Sequence, residues 1–143
     1  LEFLRYRQAM GMEVLALDSR SIVTLAQRLR EGHLVALVAD RDLSKSGIDV
    51  NFFGHPARMP AGPAVLAIKT DAVLVTAFVN YTERGIHITF DEIKVPVEGT
   101  QEEKVSALVQ KSADNFAHGI SKYPQDWHML QRIWIDEDFK ERM

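Results

Sequence analysis

Apolar residues recur every three or four positions at Ile22, Leu25, Ala26 and Leu29, and then run together without a break in "HLVALVA", residues 33–39. The first pattern predicts an amphipathic helix that stops at Glu31-Gly32, and the second a strand buried on both faces. Upstream, residues 1–9 read as the end of a helix closed by Gly11, and "MEVLAL", residues 12–17, as a short strand, with Asp18 offering the next helix a cap. Strand, helix, strand in that order implies a right-handed crossover and parallel pairing, with residues 35–39 as a central strand.

The period changes again downstream. "IDVNFFG", residues 48–54, alternates as a strand does, and "PARMPAG", residues 56–62, has the prolines and glycine of a turn. "PAVLAIKT" follows as a short helix with Pro63 in its first turn, and "AVLVTAFV", residues 72–79, as an apolar strand. "NYTERG" is the expected turn into "IHITF", residues 86–90, a half-exposed antiparallel strand at the sheet edge. Thr100 with Glu103 forms a capping-box pattern that opens a helix carrying Val105, Leu108, Val109 and Phe116. In the aromatic tail "YPQDWHMLQRIW", Trp127 and Trp134 read as a plug on the core, or alternatively as a membrane-surface contact. The predicted fold class is α/β, a mixed, mainly parallel sheet flanked by helices, in one domain over residues 1–143.

Charge and composition narrow the function classes. Lys+Arg 17 against Asp+Glu 20 gives a formal charge of -3, which is no advertisement for nucleic acid. Without cysteine there are no disulfides, thiolate metal sites or cysteine nucleophiles. The most apolar window, residues 61–79, is interrupted by Lys69 and Asp71, too broken for a spanning helix. "LEFLRYRQAMG" lacks an initiator methionine and enters already in helical register, so the expectation is a piece of a longer protein.

Chemistry concentrates where the apolar run 35–39 stops on Asp40, Arg41 and Asp42, since sites in α/β sheets are built at the carboxyl ends of strands. Asp40 and Asp42 in a D-x-D spacing could hold a divalent cation against a phosphate, although a solvated strand end has the same spacing. His55, followed by Arg58, offers a base beside an anion-binding cation, and Arg5 and Arg7 add positive charge on the first helix. "GPAVLAIKT" lacks the glycine and lysine spacing of a phosphate-binding loop, and neither G-x-S-x-G nor H-E-x-x-H occurs.

The ordered set "ADRD", "VNFFGHPARMPAGPAVLAIKT" and "YPQDWHMLQRIW" resembles the carboxyl half of the lipid A biosynthesis acyltransferase family. Within it, "RYRQAMGMEVLAL" and "VADRDLSKSGIDVNFFG" are most similar to the branch that acylates phosphatidylinositol mannosides. The resemblance implies a glycerolipid acyltransferase-like fold, present here as an incomplete, carboxyl-terminal part. It implies transfer of a fatty acyl group from acyl-CoA to a sugar hydroxyl of a membrane glycolipid. The expected place is the cytoplasmic face of the plasma membrane, peripheral or anchored through the missing amino-terminal part, with no cofactor, metal or nucleic acid involved. The family's base is a histidine followed five positions later by an acid. Here the fifth neighbours of His33, His55, His87, His118 and His128 are Val38, Pro60, Glu92, Tyr123 and Ile133. Only His87 with Glu92 fits, and it follows the "FFG" block instead of preceding it, so the dyad is expected upstream of Leu1. By the same resemblance Asp40 matches an acid across the cleft and Arg7, or Arg5, an arginine of the site; the residues' own chemistry adds Asp42, His55 and Arg58 as further substrate contacts. Three alternatives stand beside this reading: a lipid A precursor acyltransferase fed by acyl carrier protein, a phosphate-ester-binding module with a metal at Asp40 and Asp42, and a non-catalytic docking fragment.

Overall fold

The computed structural model describes residues 2–15 and 19–136, which fall into two compact units, one through Val35 and one from Ala36 onward. The first unit holds α1 (Glu2–Ala9) and α2 (Ser19–Arg30). Both helices end on a glycine in the left-handed region, Gly11 and Gly32, each at φ +84°, a conformation that only glycine adopts without strain. The reversed chain then returns its amides to the last turn, Met12 N to the Arg7 carbonyl at 3.2 Å and His33 N to that of Arg28 at 3.0 Å. Arg28 also forks onto both oxygens of Glu13, at 2.6 and 3.0 Å, and reaches Glu31 at 3.0 Å. The guanidinium holds the Glu13 carboxyl below the usual carboxylate range; the Glu31 carboxyl is lowered by the Gln27 amide first and by Arg28 beside it.

The second unit is built around one long helix. In chain order it contains β1 (Ile48–Phe52), β2 (His55–Met59), α3 (Gly62–Thr70), β3 (Leu74–Thr82), β4 (Gly85–Ile93) and α4 (Gln101–Lys122), closed by a 3-10 turn, Pro124–Asp126. The strands form two separate antiparallel hairpins, β1-β2 and β3-β4. Phe52 pairs with His55 across a two-residue turn in which Phe53 and Gly54 both take positive φ, the geometry that matches strand twist. The Asn51 side chain accepts from Gly54 N at 3.0 Å and holds that turn closed. Pro56 sits opposite Asn51, where its missing N–H takes nothing from the β1 ladder.

Thr100 starts α4 with a complete capping box: its hydroxyl accepts from Glu103 N at 3.2 Å, and its own N–H donates to the Glu103 carboxylate at 2.8 Å. The stripe Val105, Leu108, Val109, Ala113 and Ile120 is buried against Val50, Phe52, Ala57, Met59, Ala64 and Ile93. Polar bonds fix the docking. Gln110 both accepts from Asn51 N and donates to Asn51 O, at 2.8 and 2.9 Å, as a neighbouring strand would. Asn115 donates to Thr76 Oγ1 at 2.9 Å on β3. At Gly119 the helix comes so close to β3 that an added Cβ would lie 2.5 Å from the Phe78 ring.

Several expectations are corrected here. The sheet is not mainly parallel: among the described residues every strand pairing is a local antiparallel hairpin. Residues 35–39 are not a central strand. They form no ladder, and with Leu34 95% and Val38 86% exposed, the apolar run lacks both the partner strands and the covering layers that its pattern calls for. Residues 12–15 likewise form no strand, and residues 16–18, including the Asp18 cap, lie outside the described residues. "PARMPAG" is mostly strand β2, because the turn lies earlier, at Phe53-Gly54, without the Asn-Gly signal that marks such turns. β3 runs on to Thr82, so the expected six-residue turn shrinks to Glu83-Arg84.

Removing the cap with Thr100→Ala is expected to lower stability by about 1 kcal/mol, a fall of roughly 3–8 °C in melting temperature by calorimetry. Gly119→Ala gains helix propensity yet is expected to lose a net ~1–3 kcal/mol, because the methyl enters the Phe78 ring. Chemical denaturation of the two variants, with Ser106→Ala on the exposed face of the same helix as control, checks both.

Candidate active site

Asp40 is half-buried at the point where the exposed apolar run meets the second unit's packed part, and its carboxylate makes no hydrogen bond or ion pair among the described residues. The two residues after it are committed. The Arg41 guanidinium crosses to the tail, where it bonds the Gln131 side-chain oxygen and, at 3.4 Å, the Arg132 carbonyl. Asp42 N donates to the Arg58 carbonyl at 2.8 Å, on the free edge of β2, and the Asp42 carboxylate accepts from Ser44 N at 2.9 Å, closing an Asx turn. Asp40 is therefore held from its carboxyl side, by the loop that follows it, and not by a buried strand before it.

Arg58 is the centre of that loop. Only 13% of its side chain is exposed; Nε donates to Asp49 at 2.6 Å across the β1–β2 hairpin and Nη1 to the Ser44 carbonyl at 3.2 Å. Gly47 lies against it with no room for a side chain: an added Cβ would be 2.5 Å from Arg58 Cγ and from the Asp42 carbonyl. Arg58 thus spends its donors on protein oxygens and shapes the segment 42–47.

His55 stands exposed at the other end of β2, edge-on to Trp134 at 6.3 Å. Trp134 bridges to Ala57, donates Nε1–H to the Phe52 carbonyl at 3.1 Å and packs with Trp127 around Phe52, the plug that the sequence suggests. The same tail lines an open groove of about 520 Å³ between Trp127, Met129 and Ile133 on its apolar side and Arg132 and Asp136, themselves paired at 3.1 Å, on its polar side. Sequence reasoning passed over Arg41, Gln131 and Arg132 as a tie between loop and tail, because ninety positions separate them and no spacing rule reaches that far.

Among the described residues no three histidine, aspartate or glutamate side chains gather as a metal cluster, and the D-x-D carboxylate of Asp42 is turned onto Ser44 N. His87 and Glu92 point to opposite faces of β4, pairing with Asn80 and Val75 across the ladder, so they cannot share a proton. Arg5 and Arg7 belong to α1 in the first unit; Arg7 lies over the Phe3 ring at 4.3 Å.

A family model described as bacterial lipid A biosynthesis acyltransferase matches residues 2–135. A phosphatidylinositol mannoside acyltransferase of Mycobacterium tuberculosis (strain H37Rv) is 40% identical over 136 residues, which are 93% of this chain and 42% of that protein. One of Mycolicibacterium smegmatis is 41% identical over 143 residues, 98% of this chain and 46% of that protein. The chain therefore spans less than half the length of the curated relatives it matches. With the match running from α1 through the Trp134 bridge, the chain belongs to the bacterial lipid A biosynthesis acyltransferase family.

Proposed function

We propose that this chain is part of an acyltransferase that moves a fatty acyl group from acyl-CoA to a sugar hydroxyl of a phosphatidylinositol mannoside. The two relatives at 40% and 41% identity, both named for that acceptor, carry the reading. It places the protein at the cytoplasmic face of the plasma membrane, against its lipid acceptor; no described helix is long and apolar enough to cross a membrane.

In the reaction the acceptor hydroxyl oxygen attacks the thioester carbonyl carbon while a histidine removes its proton. The tetrahedral oxyanion then collapses, the carbon–sulfur bond breaks, and the thiolate leaves with the proton. The base of this scheme is a histidine with an acid five positions later, in the part of the protein outside this chain. Asp40 is a positioning residue for the acceptor hydroxyl or for that imidazole. Its uncommitted carboxylate, on a chain anchored by Arg41 and Asp42, is what suits it to the role. Arg7 or Arg5 meets phosphate or the oxyanion, and His55 and the groove beside Trp134 face the lipid. Arg58 acts at one remove, by holding the loop that carries Asp40.

In the full-length protein, Asp40→Ala is expected to lower transfer tenfold to a thousandfold, about 1.4 to 4 kcal/mol of barrier, with an unchanged melting temperature. Asp42→Ala loses the Asx turn, so its expected mark is about 1 kcal/mol of stability with a smaller effect on transfer. Transfer and melting measured together check this, and equal activities in the two variants would remove Asp40 from the site. Running the assay with acyl-CoA and with acyl carrier protein on both mannosylated phosphoinositide and a lipid A precursor decides donor and acceptor.

This chain alone is expected to show no transfer, because carboxylates and arginines in place cannot substitute for the proton acceptor. Turnover by the purified chain that disappears in His87→Ala would show that the base lies within it.

A further inference from the structure

The β3–β4 hairpin is apolar on both faces: on the side against α4, Ile93 lies in the core with Leu74 and Phe78 packed against it. α4 packs on the face that carries Thr76 and Asn80, both buried, with Thr76 bonded to Asn115 and Asn80 to the Tyr81 carbonyl. The opposite face carries Val75, Val79 and Tyr81 from β3 and Ile86, Ile88 and Phe90 from β4, every one exposed, up to 67% at Tyr81 and Phe90. The ladder register sets them side by side, Val79 against Ile88 and Tyr81 against Ile86, so they form one continuous surface. A hairpin lying on a core as the outermost layer turns its polar side to water. This one has the residues of a middle layer.

We infer that this apolar face is a docking surface for protein, and that its occupant is the part of the full-length acyltransferase lying outside this chain. The inference rests on reading the chain as a portion of a longer protein, as its coverage of 42–46% of the relatives indicates. More than half of the relatives' length is thereby available to cover the face. Lipid fits it poorly for two reasons. Glu92 is the single charged residue that the strands place on it, and no lysine or arginine of β3 or β4 shares that face to meet anionic headgroups. The hairpin also has two edges that pair with no further strand among the described residues; Tyr81 is met there by Asp126 and Asn80, but the remaining outward N–H and C=O groups are costly in hydrocarbon and are readily met by a protein neighbour.

Hydrogen exchange on the unaltered full-length protein and on this chain reads the coverage directly. Amides of residues 85–93 are expected to exchange at least tenfold more slowly in the full-length protein, without vesicles present. Ile88→Glu should lower the melting temperature of the full-length protein by 5 °C or more and leave that of this chain within about 1 °C. Equal exchange in the two proteins, or an unchanged full-length melting temperature, overturns the inference. If Ile88→Glu instead abolishes binding to phosphatidylglycerol-containing vesicles, the occupant is lipid. If it halves the mass in solution, the occupant is a second copy. Either result also overturns it. None of these readouts involves acyl transfer, so the activity reading stands or falls separately.

Discussion

Burial of one stripe of α4 organises the second unit. Val105, Leu108, Val109, Ala113 and Ile120 give the two hairpins and α3 a common apolar surface, and none of those elements makes a core without it. A two-stranded hairpin is marginal in water by itself, so the helix must collect both. It does so with shape at Gly119, where β3 comes to within van der Waals range of helix backbone, and with polar bonds at Gln110 and Asn115. Those bonds add little net free energy each, but they choose one register among the many that a greasy stripe would tolerate.

That arrangement explains how a loop can carry a site. The segment 40–47 contributes almost nothing to the core, yet it is fastened at Arg41, Asp42 and Ser44 to elements the core does hold. Two groups that the sequence offers as substrate contacts are used up in this way: the Asp42 carboxylate accepts from Ser44 N, and the Arg58 guanidinium is spent on Asp49 and the Ser44 carbonyl. What is left over is Asp40. Around this loop the half-buried charges of Arg41, Asp42 and Arg58 are structural, and the half-buried Asp40 carboxylate is the candidate for chemistry.

Local signals carried the helices. Capping box, glycine stops and the three-to-four spacing are decided by near neighbours, and α2, α3 and α4 appear where those signals place them. The first hairpin was hidden because Phe53-Gly54 imitates no standard turn and because two prolines argued against a strand. Residues 33–39 failed for a different reason: an apolar, β-branched run specifies a buried strand only when partners exist on both sides, and propensity cannot supply them. The candidate site shows the same division. Asp40 was legible as the end of an apolar run, and so was the plug of Trp127 and Trp134. The anchoring of Arg41 to Gln131 joins residues ninety positions apart, and the consumption of Arg58 by Asp49 depends on a hairpin that the pattern did not show.

The β1–β2 hairpin has both margins partly occupied. Gln110 satisfies the outward N–H and C=O of Asn51 on one side, while Asp42 N and Ile135 N take the outward carbonyls of Arg58 and Pro56 on the other. An edge so occupied is a poorer template for a stray strand. The edges of this hairpin are thus occupied by three borrowed amides and one side-chain carbonyl, whereas the outer edge of β3 is met at Tyr81, by Asp126 and Asn80.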